Sequence, residues 1–510
     1  MCKNSFKVMA FASLLGLTAA ASFTSCSDNE TPSPSPTDNR HWSTDGGLKA
    51  ADNLLFDGNQ IGNGDKEFVF TGKQTLKKGT YLLKGWVYIA NGAELTIEPG
   101  TVIKGDKQTM AALITERGGK LFAQGTKDAP IVFTSEEAKG QRKPGDWGGL
   151  ILCGRAPHNA GEAQIEGGPR TKHGGSNPHD NSGVLSYVRV EFAGFPFATD
   201  QEINGVTLGS IGDSTQIDHV QVSYSNDDSY EWFGGTVNCK HLIAYNGWDD
   251  DFDTDNGFSG HVQYGLSIRD PRIADKSQSN GFESDNDASG STATPITSAI
   301  FSNMTFIGPK QGDEQFQNTA DYITGGSMNP LNGSGLGKYQ SAMQIRRGSR
   351  LNCINSIALG WPIGLIVDSE KGDTREQARQ GNIRLQNIWF ANMDATGSDA
   401  NKEYRDVRVD YVNKKAVVDE SQKSWSSTFF LAQPGNKVST PAEMLLTGRN
   451  LFTGLKVDFM PAVGSPLLNA ASFNDVNSTW FDKVNYIGAF SSTDNWLSGW
   501  TNFDPENTDY

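Results

Sequence analysis

The sequence is short of the features that usually announce a function. Five cysteines occur in 510 residues, and only Cys153, Cys239 and Cys353 lie beyond position 26. They are odd in number, follow no metal-like spacing and sit in or beside apolar segments, which reads as buried thiols rather than a disulfide framework or a nucleophile. Apolar residues make up 36% of the chain and no run is long enough for a multi-span membrane protein. Positive charge is scarce: 44 Lys and Arg against 59 Asp and Glu give a net charge of −15, which disfavours nucleic acid and anionic membrane surfaces as partners. A charged fraction of only 20% argues against wholesale disorder. Helical periodicity is absent through Ser135. What remains is glycine, 57 of them, punctuating many short apolar stretches.

The first residues read as an address. Lys3 and Lys7 precede the apolar run Met9 to Ala21, and Ser22-Phe23-Thr24-Ser25-Cys26 follows. This resembles a bacterial lipoprotein signal over residues 1–25, with cleavage before Cys26 and lipid on its thiol. Ser27-Asp28-Asn29-Glu30 and the alternating Thr31-Pro32-Ser33-Pro34-Ser35-Pro36 then predict a flexible tether over 26–45. The acidic patch behind the cysteine resembles the surface-export signal of Bacteroidota lipoproteins. It implies a lipid anchor in the outer membrane, facing the cell exterior.

From residue 46 the chain becomes a succession of short strands, such as Trp86-Val87-Tyr88-Ile89 and Ile131-Val132-Phe133. A pattern of one apolar residue, two variable positions and then apolar-x-apolar recurs at Leu185…Val188-Arg189-Val190, Ile217…Val220-Gln221-Val222 and Cys239…Leu242-Ile243-Ala244. Phe301…Met304-Thr305-Phe306, Ile354…Ile357-Ala358-Leu359 and Leu385…Ile388-Trp389-Phe390 repeat it, and Leu266-Ser267-Ile268 fits in part. Rungs of about two dozen residues with two or three strands each predict a parallel β-helix over 46–392. The polar stretches 154–183 and 309–338 read as loop insertions, since a solenoid tolerates them. Residues 393–510 are expected to hold the last coils and a cap, with a helix capped by Thr440, Pro441 and Glu443.

Leu95-Thr96-Ile97-Glu98-Pro99-Gly100-Thr101-Val102-Ile103, Gly118-Gly119-Lys120-Leu121-Phe122-Ala123 and Asp146-Trp147-Gly148-Gly149-Leu150 resemble the opening coils of right-handed parallel β-helix proteins of the pectate-lyase-like type. With the leader and the aromatic tail, the chain resembles Bacteroidota surface lipoproteins of that fold over about residues 80–510. The resemblance implies an all-β solenoid and an address. It carries no catalytic set.

The candidate site is a motif with echoes. Tyr230-Glu231, Phe252-Asp253 and Phe282-Glu283 each place an aromatic beside a carboxylate. In strands, the aromatics would point inward and the acids outward. Neighbouring coils would then stack Thr207, Glu231, Asp253, Glu283 and Gln344 in one row, and Phe233, Asp255, Asp285 and Arg346 in a parallel one. Acids about 4.8 Å apart repel, so something should neutralise them. Ca²⁺ is the natural candidate, drawing on Asp251, Asp253, Asp255, Glu283 and Asp285; Arg346 is the protein's own alternative. Asp251-x-Asp253-x-Asp255 is not an EF-hand, because residue 256 is Asn and the twelfth position is Val262.

Three readings follow. In the first, the face binds a glycan or other nutrient for a partner transporter, such as a TonB-dependent receptor, with Trp232, Trp248 and Trp361 as platforms for sugar rings. In the second, the chain is a polysaccharide lyase or glycoside hydrolase: Asn226-Asp227-Asp228 with Asp249-Asp250 faintly resembles polygalacturonases, though Gly260-His261-Val262 is a poor match to their next motif. Arg346 would suit a lyase base by residue type alone. In the third, the acids are solvated turn residues of a structural or adhesive protein. His219 and His241, one coil apart, read as a stacked pair rather than a metal site.

Overall fold

The structure, a computed structural model, describes residues 50–51, 53–198, 201–400, 404–412, 415–446, 457–474 and 476–510. The leader, Cys26 and the tether lie outside the described residues.

Each turn of the chain adds a strand to a growing parallel ladder. One nine-stranded sheet includes Val206–Gly209, Tyr230–Phe233, Phe252–Asp255 and Phe282–Ser284. It is extended by Ser341–Ile345, Ile363–Val367 and Ala395–Ser398, because Gly281 and Arg346 donate their backbone N–H groups to Ser341 and Ser284. The other large sheet carries long strands: Gly183–Glu191, Gln216–Ser223, Asn238–Tyr245, His261–Ile268, Asn352–Leu359 and Leu385–Ala391. Pairing in each is interrupted at one residue with positive φ, namely Tyr187, His219, His241, Tyr264, Asn355 and Asn387. The strand turns a corner there. Leu185 therefore fills the core before the corner at Tyr187, and Val188 and Val190 fill it afterwards. This is the physical origin of the recurring apolar spacing, and the chain is an all-β parallel β-helix.

The pattern misleads in two coils. The observed register aligns Phe301 with Cys353 and Thr305 with Ile357, so Cys353 and Ala358 face the core while Ile354, Ile357 and Leu359 face outward. Likewise Gly265 stands opposite Leu242, which turns Leu266 and Ile268 outward. These outward residues are apolar because the C-terminal segment covers them. Phe473 and Phe481 pack on Ile354, while Ile487, Phe490, Trp496 and Trp500 belong to the cluster around Leu266, Ile268 and Leu359.

That segment runs back along the flank as a strap. Gly488 N–H donates to Asn355 O, Gln263 and Asp482 exchange hydrogen bonds, Asn502 pairs with Gln221, and Tyr510 reaches Glu191. Arg142 donates to the Pro505 and Thr508 carbonyls. The corner residues Tyr187, His219, His241 and Tyr264 stack face to face beneath it, His219 and His241 at 4.2 Å between ring centroids. The open end of the core is closed instead by the helix Trp425–Ala432, whose Phe430 ring stacks on Phe390 at 4.1 Å. Ser424 caps that helix by accepting from Ser427 N–H. The helix expected near Thr440 is Pro441–Met444, with its capping box formed.

Because Phe430 is the plug on the last coil, Phe430→Ala should cost about 3–5 kcal/mol in urea unfolding, the range for truncating a buried Phe. A loss under roughly 1 kcal/mol would assign the end-closing role elsewhere.

Candidate functional site

The first sheet brings the predicted row together. Thr207 pairs with Glu231, Glu231 with Asp253 and Asp253 with Glu283, while the ladder beyond places Gln344 next to Glu283. Tyr230, Phe252 and Phe282 point into the core, with Tyr230 and Phe252 stacked at 5.5 Å. The acids are on the other face. They are not solvated, however: Glu231, Asp253 and Glu283 are only 3–4% exposed.

Both insertions wall them in. From 154–183, Asn159 donates to Asn256 O and to Asn286 O, and Pro157 O accepts from Gly235. From 309–338, Ser334 accepts from Asn226, and Gly335 O accepts from Trp248 Nε1 at 2.9 Å. The row thus lies at the bottom of a crevice between two loops.

The turns before the strands add carboxylates that the aromatic-acid pattern did not pick out. Asp250 N–H donates to Asp228 Oδ1, Asn280 N–H to Asp250 Oδ1, and Ser341 N–H to Asn280 Oδ1, a ladder running from coil to coil. Asn280 does this without charge. The ladder therefore accounts for an Asx side chain at 228 and 250 but not for Asp. Three groups of carboxylates have oxygens within 4.8 Å of one another: Asp227, Asp228 and Asp249; Asp228, Glu231 and Asp253; Asp250, Asp253 and Glu283. The Asn226-Asp227-Asp228 and Asp249-Asp250 spacing carried the signal, since a step of one coil must superpose them.

Burial pushes the carboxyls of Asp228, Asp249, Asp250 and Asp253 well above the usual carboxylate range, and their neighbours add to it. Glu231 and Glu283 press on Asp253, Asp227 on Asp228, and Glu283 on Asp250. Asp253 Oδ1 accepts no hydrogen bond, and neither amide atom of the fully buried Gln344 has a partner.

The other predicted residues separate from this cluster. Asp251 is a structural anion: it is fully buried against Arg269 at 2.7 Å and accepts from Ser267. Burial raises its carboxyl to about 6 despite the guanidinium. Asp285 is held by Arg346 at 2.9 Å and Arg347 at 3.0 Å, and Arg346 also reaches Glu283 at 2.5 Å. Burial opposes the charge of Arg346, but Asp285 and Glu283 outweigh it and keep the guanidinium ionised. Asp255 accepts from the N–H of Asn256, at the edge of the strand. Of the five expected cation ligands, Asp253 and Glu283 therefore belong to the close carboxylate groups, whereas Asp251 and Asp285 are committed to arginines.

The tryptophans expected as sugar platforms do not reach the surface. Trp232, Trp248 and Trp361 are fully buried; Trp232 and Trp361 belong to the main core, and Trp248 packs with Phe192, Ile273 and Met328. Trp232 faces inward because it alternates with Glu231 and Phe233 along its strand. His219 and His241 share Asp218 Oδ1 at 2.9 and 2.7 Å beneath the strap, on the other sheet.

The two kinds of acid should respond oppositely to neutralisation. Asp251→Asn leaves Arg269 buried without its counter-ion and should cost about 3–5 kcal/mol. Asp253→Asn, measured without divalent cations at neutral pH, should raise stability by on the order of 1 kcal/mol. Equal losses in denaturant titrations would contradict this division.

The model of the pectate-lyase-like β-helix domain family matches residues 69–430, the span that carries most strands of both large sheets and the whole acidic crevice. No curated protein and no solved structure matches the chain. Covering well over half of the sequence, the match places this chain in the family of pectate-lyase-like β-helix domains.

Proposed function

We propose that the crevice holds a divalent cation, Ca²⁺ by its oxygen chemistry, and through it binds an acidic polysaccharide at the cell surface. The observation that carries this is Asp253, a buried carboxylate whose ladder neighbours on both sides are also acids and whose Oδ1 has no hydrogen-bond partner. Such a group is neutralised by a proton, an arginine or a cation. Arg346 is bonded to Glu283 and Asp285, at one end of the row, and acts on Asp253 and Asp250 only through space. The surrounding donors are carboxylates and amides, hard oxygen ligands with no thiolate or imidazole among the three close groups, which suits Ca²⁺.

A domain of this family fits polysaccharide-related, lyase- or hydrolase-like work. Uncompensated, the crevice would repel a uronate; a cation inverts the local field and offers the sugar a ligand position. Exposures of 3–7% across the seven acids favour an ion inside and the sugar ring outside, presenting carboxylate or hydroxyl oxygens to it. The leader and Cys26 support a lipid anchor in the outer membrane, facing outward, where a captured glycan would pass to a partner such as a TonB-dependent receptor.

A second reading has its own observation. Carboxylates on adjacent coils stand opposite one another, Glu231 beside Asp253 and Asp253 beside Glu283, and a strand spacing of about 4.8 Å is near the separation of about 5 Å in retaining glycosidases. Carboxyls raised by burial would supply the protonated acid.

Two measurements decide. The raised carboxyls keep protons in the folded state at pH values where the unfolded chain has released them. Without cations, their contribution is complete below the unfolded range near pH ~4 and is lost as pH rises through the elevated folded values. Added Ca²⁺ should therefore raise Tm more at about pH 8 than at about pH 5, with protons released on binding. An equal shift, or none at millimolar Ca²⁺, would remove the cation from the model of function. The second measurement incubates the protein with acidic and neutral polysaccharides in Ca²⁺ or chelator. Retention of an acidic chain only with Ca²⁺ is expected; new reducing ends or unsaturated uronates would establish catalysis instead.

A further inference from the structure

A second cluster of titratable side chains lies away from the crevice, on the other sheet and beneath the strap. His219 and His241 are corner residues of adjacent coils, each with positive φ. One carboxylate serves both: Asp218 Oδ1 lies 2.9 Å from His219 Nδ1 and 2.7 Å from His241 Nδ1. The rings stack at 4.2 Å between centroids and 24° between planes. A metal ion held by both Nδ1 atoms would need their lone pairs to converge, whereas face-to-face rings aim them side by side. The cluster is suited to protons.

Aromatic rings close the faces of the pair. Tyr187 stacks on His219 at 4.4 Å and Tyr264 on His241 at 4.9 Å. From the strap, Trp500 meets His219 edge-on at 5.6 Å and Trp496 meets His241 at 5.1 Å. Burial raises the phenols of Tyr187, Tyr264 and Tyr486, and the Cys239 thiol on the core side, so all four stay neutral in acid. Lys240 is paired with Asp482 of the strap at 2.8 Å, and Asp494 faces Tyr486. Further along the flank, Arg189 and Glu191 are tied to Trp500 and Tyr510. Among the described residues, Asp218 is thus the one anion bonded to either ring.

That single charge sets a limit. One proton on the pair makes the cluster neutral. A second places two like charges 4.2 Å apart with one carboxylate between them. Burial holds the His241 ring below the usual histidine range; Asp218 pulls the other way, and His219 adds to the lowering. Asp218 is half-exposed, so protons reach the rings from that side while the strap is closed.

We propose that Asp218, His219 and His241 form an acid-operated release for the strap, in which a second proton on the stacked pair drives Trp496 and Trp500 off it. Opening lets the rings part and hydrates both charges. It also uncovers the apolar flank around Leu266 and Ile268. The open strap binds more protons than the closed one. Closure is therefore fully stable above the ordinary histidine value near ~6.5 and weakens below it, by about tenfold per pH unit for each extra proton. His261 lies under the same strap, 5.6 Å from Trp480 and bonded to Asn238, and burial lowers it as well. It is a lone imidazole against a neutral amide and adds a separate response near Trp480.

Hydrogen exchange of the full chain, corrected for intrinsic pH dependence and read by mass spectrometry, tests this between about pH 7.5 and pH 4.5. Protection over residues 489–503 should fall roughly tenfold or more relative to the coils of residues 86–135. His219→Phe combined with His241→Phe keeps two stacked rings without charge, and should hold residues 489–503 protected throughout. Asp218→Asn removes the counter-charge and should move the release to higher pH. His261→Phe should alter only the segment around Trp480. Native-like loosening of the double variant in acid would assign the effect to Glu191 or Asp482 and overturn the release. A double variant already open at about pH 7.5 would show that hydrogen bonds rather than charge hold the strap, which overturns it equally. So would a native strap indifferent to acid, or a release that Asp218→Asn leaves unmoved.

Discussion

Everything distinctive in this molecule depends on the in-register stacking of parallel coils. A residue type repeated once per coil becomes a continuous row about 4.8 Å in pitch, whatever its chemistry. For Tyr230, Phe252 and Phe282 the row is an aromatic seam in the core. For Tyr187, His219, His241 and Tyr264 it is a column of stacked rings at a corner. For Glu231, Asp253 and Glu283 the same geometry is costly, because it compels like charges to be neighbours and the loops then bury them.

The sequence disclosed the parts of the fold where one face was apolar and the other polar. Tyr230-Glu231, Phe252-Asp253 and Phe282-Glu283 obey that rule, and their pairing could be read from the spacing. Ile354…Ile357-Ala358-Leu359 and Leu266-Ser267-Ile268 do not obey it. There the strap buries the outside as well, so an apolar period no longer reports which side is the core, and the reading slips by one residue. The tryptophans misled for a related reason: type suggested a sugar platform, but Trp232 shares the inward side of its strand with Tyr230. Asp228 and Asp250 were visible as a pair of acidic turns. Their place beside Asp253 depended on how tightly each turn folds back on its strand, which spacing does not encode.

Two solutions to buried charge lie two residues apart in sequence and differ in kind. Asp251 is matched to one arginine and a serine, and that local balance is complete. Asp253, two residues on, is flanked by acids and has an oxygen with no hydrogen bond. The first arrangement is what a stable core requires. The second is a source of instability that a ligand can relieve, and in that sense the site is recognisable by its misfit with the solenoid that carries it.

The strap alters how such a solenoid must hold together. Coils that touch only their neighbours can fray or melt one by one from either end. Here a segment ending at Tyr510 is bonded to Asn355, Gln263, Gln221, Glu191 and Arg142 in turn, so distant coils share one fastening. Local loosening of any of them is opposed by all. The same fastening leaves the ribosome after every coil it secures. Until then Ile354, Leu359, Leu266 and Ile268 lie on an uncovered flank. A chain of this design is completed by the strap that follows the coils, and the array acquires the unity of a globular domain only when that segment closes over it.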